Sequence, residues 1–339
     1  MLMLARSSSL HHPSGVTIQT PLLVPSFSSR GFGFRQDGSA EIKTIYEVAS
    51  EFLADTMLVS AYDLHQGHLG PVEHAIVDLT FVDSGGYETS DEPDLSSIYD
   101  QPVEAKPWSV AALKEVLDGW SEHVPAVFVS FDSPDMRQPL ADQVKAAKLL
   151  LDAYPDQFHA LLVKPETESQ RYVQVKLVEE QTKLLDGFHI VGFTEKELGG
   201  SIIKRMEALA TIREAMDEAG VTAPIHVYGS LDPITSALYF LSGAEIFDGL
   251  AWLRYGFVDG VACYYHNFAA LKEDIGIDKD DDFIRGKMMQ DNLGYLTRLR
   301  NQMAEFLRSG GTDFEIFEHN AGLLRTSYER FCEKIGRVA

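Results

Sequence analysis

The chain has 339 residues, with 29 lysines and arginines against 51 aspartates and glutamates, a formal net charge of −22. Hydrophobic residues make up 45% and charged residues 24%, the balance of a chain with a buried core, which excludes a disordered or collagen-like protein. The two cysteines, Cys263 and Cys332, exclude a disulfide framework and any site that needs three or four thiolates.

The start of the chain does not read as a secretory signal, and no stretch approaches the roughly 18–20 apolar residues that span a bilayer. The expectation is a cytoplasmic protein with no membrane partner. An acidic excess repels a polyanion at long range, so a nucleic acid would have to meet a local basic patch that the total conceals.

The first sixteen residues are polar and read as a flexible lead-in to one domain over residues 17–339. A run at 20–27 predicts the first strand, and a helical period follows at 41–53. Strands are predicted next at 56–62 and 75–82, then a helix at 110–120, a strand at 126–131 and a helix at 141–154. The beat continues with strands at 159–163, 189–193, 225–228 and 246–251, alternating with helices at 168–185, 202–219 and 233–241. Eight strands within residues 20–251 predict an α/β chain folded as a (β/α)8 TIM barrel, whose usual length is about 250 residues. An open doubly wound sheet is the alternative that the same pattern allows. Additional C-terminal helices, at 285–308 and 314–335, are expected to pack outside the barrel. The acidic run at 278–282 reads as a solvated loop, because nothing fixes its carboxylates around a metal.

A barrel gathers its chemistry at the C-terminal ends of its strands, so the polar residues closing each apolar run are the candidates. They are Ser26, Ser28 and Arg30 after the first run, Asp63 after the second, Asp83-Ser84-Gly85-Gly86-Tyr87 after the third and Asp132 after the fourth. Lys164, Gly192 with Phe193, Tyr228-Gly229-Ser230 and Asp248 close the other four. Asp83 and Asp248 each interrupt an apolar strand end, where burying a charge costs several kcal/mol unless it is paired or used. The glycines after Asp83 let the backbone approach a flat ligand, although an Asp-capped tight turn has the same sequence.

In order along the chain, five features resemble the tRNA-guanine transglycosylase superfamily, the base-exchange enzymes of queuosine and archaeosine biosynthesis and their DNA-modifying relatives. They are Thr20-Pro21 in the first strand, the Asp83-Ser84-Gly85-Gly86-Tyr87 segment, Gly192-Phe193, Phe247-Asp248 after a helix, and Asp291-Asn292, read as opening a helix. The match runs from about residue 17 to 305. The resemblance implies a (β/α)8 barrel and a pentosyltransferase in which Asp248 attacks C1′ of a nucleotide, guanine departs and a covalent intermediate forms. Asp83 would protonate the leaving base and then deprotonate the incoming 7-deazaguanine, work for which carboxylates are suited. The base would leave its stack to enter such a pocket. Base-binding roles are implied for Ser84, Gly85, Gly86, Tyr87, Lys164, Gly192, Phe193, Tyr228 and Gly229. Arg254 resembles the arginine that follows the nucleophile strand and is expected to contact nucleic acid.

The chain also departs from that pattern. The family's zinc subdomain uses three closely spaced cysteines and a histidine, and nothing of the kind follows Cys263, so no metal and no cofactor is expected. Ala126 is read at the strand-four position of a base-recognising aspartate, and Lys164 near that of a base-recognising glutamine on strand five. These departures place DNA slightly ahead of tRNA as the polynucleotide. The expected partners are a nucleic acid and a free purine or 7-deazapurine base, with room for a protein partner or a homodimer. The competing functions are a scaffold subunit of the same fold without catalysis, and an unrelated barrel N-glycosyl hydrolase. Retention of both Asp83 and Asp248 argues against the scaffold.

Other features have two readings each. Asp63, His65 and His68 have a metal-like spacing but read as solvated loop residues. Trp252 and Tyr255 could stack a base or pack the rim. Arg285 and Lys287 are expected to contact nucleic acid from a helix that also carries Arg298, Arg300 and Arg308, and a solvated helix surface is the other reading.

Overall fold

The structure, a computed structural model, describes residues 3–35, 37–90, 105–132, 137–272 and 275–337. Eight parallel strands close into a barrel: β1 (Leu22–Phe27), β2 (Thr56–Ser60), β3 (Leu79–Asp83), β4 (Ala126–Val129), β5 (Phe158–Val163), β6 (Ile190–Thr194), β7 (Ile225–Tyr228) and β8 (Ile246–Gly249). Each pairs with its neighbours in sequence, and β8 returns to β1 with Asp248 level with Val24. The closed barrel rules out the open sheet.

The helices are α1 (Glu41–Ala49), α2 (Ala61–Gln66), α3 (Val110–Asp118), α4 (Leu140–Leu151), α5 (Val175–Glu180), α6 (Ile202–Ala219), α7 (Pro233–Leu241), α8 (Ala251–Arg254), α9 (Tyr265–Leu271), α10 (Asp281–Arg308) and α11 (Ala321–Lys334). Their ends follow local chemistry. The Ser201 hydroxyl caps α6, and Gly220 in the left-handed conformation ends it. Asp232 caps α7 just ahead of Pro233, a residue suited to a first helical turn.

Strands covered on both faces read as continuous apolar runs, and their period of two divides the side chains between two layers. Leu22, Val24, Leu58, Phe81, Val129, Leu162 and Ile246 fill the interior. Leu23, Phe27, Val59, Val82, Phe128, Val163 and Phe247 face the helices. The same alternation carries Ser26, Ser60, Asp83, Thr194, Tyr228 and Asp248 to the interior side of the C-terminal rim. The floor of the site is therefore apolar and its lip polar.

Several expectations need correcting. The lead-in contains a hairpin in which Ser9–His11 pairs with Thr17–Gln19, and Leu10 and Ile18 plug the lower end of the barrel. Three-residue strands fall below the window in which alternation is legible. The acidic run is a solvated loop only as far as Asp280: that residue caps α10 through the Phe283 amide, and Asp281 and Asp282 lie in the helix's first turn, where its dipole favours negative charge. Asp291-Asn292 consequently sits inside α10 and does not open a helix. The helix expected at 168–185 shortens to α5 and a 3-10 turn, Thr182–Leu185. A second hairpin, Tyr255–Val258 with Val261–Tyr264, turns on Asp259-Gly260, whose φ angles of 50° and 77° are those that an Asp-Gly pair admits. Among the described residues no helix is long and apolar enough to cross a membrane.

Candidate active site

Asp248 is the inward residue near the end of β8, and three donors meet its carboxylate. The Ser26 hydroxyl donates to Oδ2 at 2.8 Å, His226 Nε2 to Oδ1 at 3.0 Å and the Gly229 amide to Oδ1 at 3.3 Å. These come from β1, β7 and the loop after β7, so barrel closure assembles them. His226 is fully buried and stacks on Tyr228 with ring centroids 3.8 Å apart. Tyr228 in turn fills the space beside Gly192, where a Cβ would come within 2.2 Å of its ring. A base expected beside Gly192 meets Tyr228 there instead.

Asp83 ends β3 half-buried on the same rim. Its carboxyl is pushed up to about 7, first by burial and then by the Asp248 charge; the Ser84 amide acts in the opposite direction. Burial and the charges of Asp83 and Asp248 also push the Tyr228 phenol well above its ordinary range. The Asp248 charge thus reaches both Asp83 and Tyr228, which puts the three side chains in one neighbourhood.

The Ser-Gly-Gly segment serves packing more than a ligand. The Ser84 carbonyl accepts from Trp108 at 2.7 Å and its hydroxyl accepts from the Asp132 amide at 3.2 Å. Gly85, at φ 86°, lies where a Cβ would meet Trp108 and Tyr62 at 2.8 Å, and one on Gly86 would meet the Asp132 carbonyl at 2.8 Å. The close backbone approach that the glycines permit is therefore to Trp108 and Asp132.

Across the rim, four charges form a buried network. Lys164 Nζ lies 3.1 Å from Asp132 and 2.7 Å from Glu197, and donates to the Thr194 hydroxyl at 3.1 Å. Arg137 bonds Asp132 at 3.0 Å and approaches Glu197 at 3.5 Å. Two carboxylates and a hydroxyl thus hold the Lys164 ammonium, which draws it away from a base in this arrangement. Ala126 opens β4 at its lower end, level with Thr80, and packs in the outer layer; the acid on the strand-four side of the rim is Asp132. Phe193 likewise faces the helices and cannot touch a base, because its neighbour Gly192 holds the inward position.

Tyr87 joins three loops. Its ring lies 4.7 Å beneath the Arg30 guanidinium, its carbonyl accepts from Arg30, and its hydroxyl lies 3.3 Å from Arg254. Arg254 also donates to the Arg30 carbonyl at 2.9 Å, so it braces the rim. The basic residues of α10 divide between the two ends of the barrel. Arg285 bonds Glu41 at 3.1 Å and Lys287 bonds Asp291 at 2.8 Å, whereas Arg300 bonds Asp55 and the Pro21 carbonyl at the lower end. Trp252 is core, its indole donating to the Ser26 carbonyl at 3.1 Å.

Glu88 and His226 are the residues that sequence reasoning missed. Glu88 is buried five residues beyond Asp83 and bonds the Ser28 and Ser60 hydroxyls at 2.5 and 2.7 Å. Burial and the charges of Asp63 and Asp83 hold its carboxyl well above the usual range. His226 had a signal, being the inward position of β7 two residues before Tyr228.

Asp63 and His68 do not converge with His65. Asp63 bonds His68 at 3.0 Å and the Ser29 amide at 2.7 Å, while His65 turns to Glu115. Among the described residues no three histidine, cysteine, aspartate or glutamate side chains come together to hold a metal. A cavity of about 650 Å³ adjoins this side of the rim, and its described lining includes Lys43, His68 and Lys106 but no carboxylate. The chain matches no protein-family model and no curated protein.

Proposed function

We propose that the protein is a base-exchanging transglycosylase, in which Asp248 forms a covalent bond to C1′ of a nucleotide and Asp83 moves the proton of the departing and arriving base. The observation that carries this reading is the pair of carboxylates on one rim with contrasting surroundings. Asp248 rests on a hydroxyl, an imidazole and a backbone amide, with no lysine or arginine on its carboxylate among the described contacts, an arrangement that suits a nucleophile toward an electrophilic carbon. Asp83, pushed up to about 7, is populated in both protonation states near neutrality, which suits a group that must give a proton in one step and take one in the next.

The substrate is a guanine-type base in a nucleic acid, with DNA ahead of tRNA because the sequence lacks the zinc subdomain's cysteines. Asp132, on the strand-four side, is held by Arg137 and Lys164 and so shapes the rim beside the base without being assigned to recognise it. Lys43 and Lys106 in the lining of the cavity are local positive charges of the kind that a polyanion requires on a chain of net charge −22. Duplex DNA and tRNA are to be offered in parallel with labelled guanine and a labelled 7-deazaguanine. Incorporation into either supports the reading, and release of free base without incorporation would replace it with an N-glycosyl hydrolase.

A further inference from the structure

The two oxygens of Asp248 stand in different surroundings. Oδ1 accepts from the His226 imidazole at 3.0 Å and the Gly229 amide at 3.3 Å, whereas the Ser26 hydroxyl reaches Oδ2 at 2.8 Å. A hydroxyl can swing its hydrogen away from an approaching atom. The imidazole cannot, since it is wholly buried, stacked on Tyr228 at 28° and flanked by the Phe81 ring at 5.4 Å. Its Nδ1 is buried and has no hydrogen-bond partner among the described residues. The ring hydrogen therefore belongs on Nε2, facing a carboxylate that can only accept, because an N–H at Nδ1 would be stranded in the core.

We propose that His226 and the Gly229 amide form a fixed cradle for Oδ1, the oxygen that takes up charge when the bond between Asp248 and the nucleotide breaks. The proposal rests on the transglycosylase reading and assigns Oδ2 as the attacking atom. In the second half of the reaction the incoming base gives its ring-nitrogen proton to Asp83, and that nitrogen attacks C1′. The N–C1′ bond forms, the C1′–Oδ2 bond breaks, and its electron pair returns to the carboxylate, shared with Oδ1. Donors bind a full carboxylate more tightly than an ester carbonyl, so the cradle favours free enzyme over adduct and assists release. Loss of His226 should therefore do what mere loss of packing would not: it should enrich the adduct.

The test uses the full chain, His226→Phe and His226→Gln with labelled guanine-containing duplex DNA and tRNA, a fixed concentration of guanine, and one buffer pH throughout. The ratio of covalent adduct to free enzyme is read after denaturing quench at equilibrium. Phenylalanine keeps the stack on Tyr228 and removes the donor, whereas glutamine returns an amide N–H near the Nε2 position. The expected result is a ratio raised about tenfold in His226→Phe, the weight of one hydrogen bond to a charged group, and restored to within about twofold in His226→Gln. Should the phenylalanine variant not fold, His226→Asn gives the same reading, because its amide is too short to reach Oδ1. A folded donor-free variant whose ratio equals or falls below the parent's overturns the cradle, as does a glutamine variant altered as much as the phenylalanine one. Adduct in the parent with an unmoved ratio in the variants overturns this inference alone. No adduct in the parent on either nucleic acid overturns the transglycosylase reading and the cradle with it.

Discussion

The two sides of the barrel rim treat a buried carboxylate in opposite ways. Where β7, β8 and β1 meet, Asp248 is held by a hydroxyl, an imidazole and a backbone amide. Where β4, β5 and β6 end, Asp132 and Glu197 are held by Lys164 and Arg137. An acid clamped between cations has its charge cancelled in place, and its partners are fixed with it. One held by a hydroxyl, an amide and an imidazole has no fixed cation against it among these contacts. On the proposed reading the first side reacts and the second holds a shape, with Asp83 influenced by both Asp248 and Asp132.

If that division is right, the largest effect of substitution belongs to Asp248. Asp248→Ala is expected to abolish the covalent adduct and to lower base exchange by at least about 10⁴-fold while the barrel still closes. An adduct trapped by this variant, seen as a shifted band in a denaturing gel, would break the comparison at its stronger end. Asp83→Asn is expected next, slowing exchange about a thousandfold, the range of a lost general acid. In the parent, base departure slows as pH rises above about 7, where Asp83 loses its proton, and base capture slows below it, where Asp83 keeps its proton. The rate is therefore bell-shaped around neutrality, and a profile of unchanged shape in Asp83→Asn would move the proton transfer to another group.

The opposite side should respond in stability. Lys164→Met leaves two buried acids with one cation, and is expected to destabilise the fold by about 3 kcal/mol in urea unfolding. Lys164→Met/Glu197→Leu removes one charge of each sign and leaves Asp132 with Arg137, so it should recover most of that loss. A double variant no more stable than the single one would show that the network is not acting as a balanced set.

The sequence made the barrel legible because all eight strands are apolar on both faces and separated by helical periods, as Ile190–Thr194 shows beside Ile202–Ala219. Asp83 and Asp248 were legible as charges at the ends of such runs. What a linear pattern could not carry was direction and partnership. Phe193 and Gly192 are adjacent, and only the pleat decides that the glycine faces inward. Lys164 reads as a free cation until β4 and the turn after β6 bring Asp132 and Glu197 to it. Glu88 lies in an ordinary polar loop, and its burial follows from the serines of two other strands' ends.

Glu88 gives the smallest expected effect and the sharpest check on how a rim acid is held without lysine or arginine. It too is held by hydroxyls, but burial, with Asp63 and Asp83 nearby, makes its carboxyl titrate above the ordinary value of 4.5. The folded protein therefore keeps a proton that the unfolded chain releases as pH rises past that value. Fewer protons on the unfolded chain mean that stability falls with rising pH through this window, and the loss is complete once the folded group has also ionised. Glu88→Gln carries no titrating proton, so it should lack this contribution. The variant is expected to gain on the parent by about 1 kcal/mol or more between mildly acidic and mildly alkaline pH, measured as the difference in urea midpoints across the range. Asp83, raised by burial, tilts both proteins in the same direction, and only its coupling to Glu88 remains in that difference. A difference that stays flat would mean that the Ser28 and Ser60 hydroxyls satisfy an ionised Glu88 fully. The contrast between Glu88 and Asp248 would then lie in the imidazole and the amide rather than in the neighbouring charges.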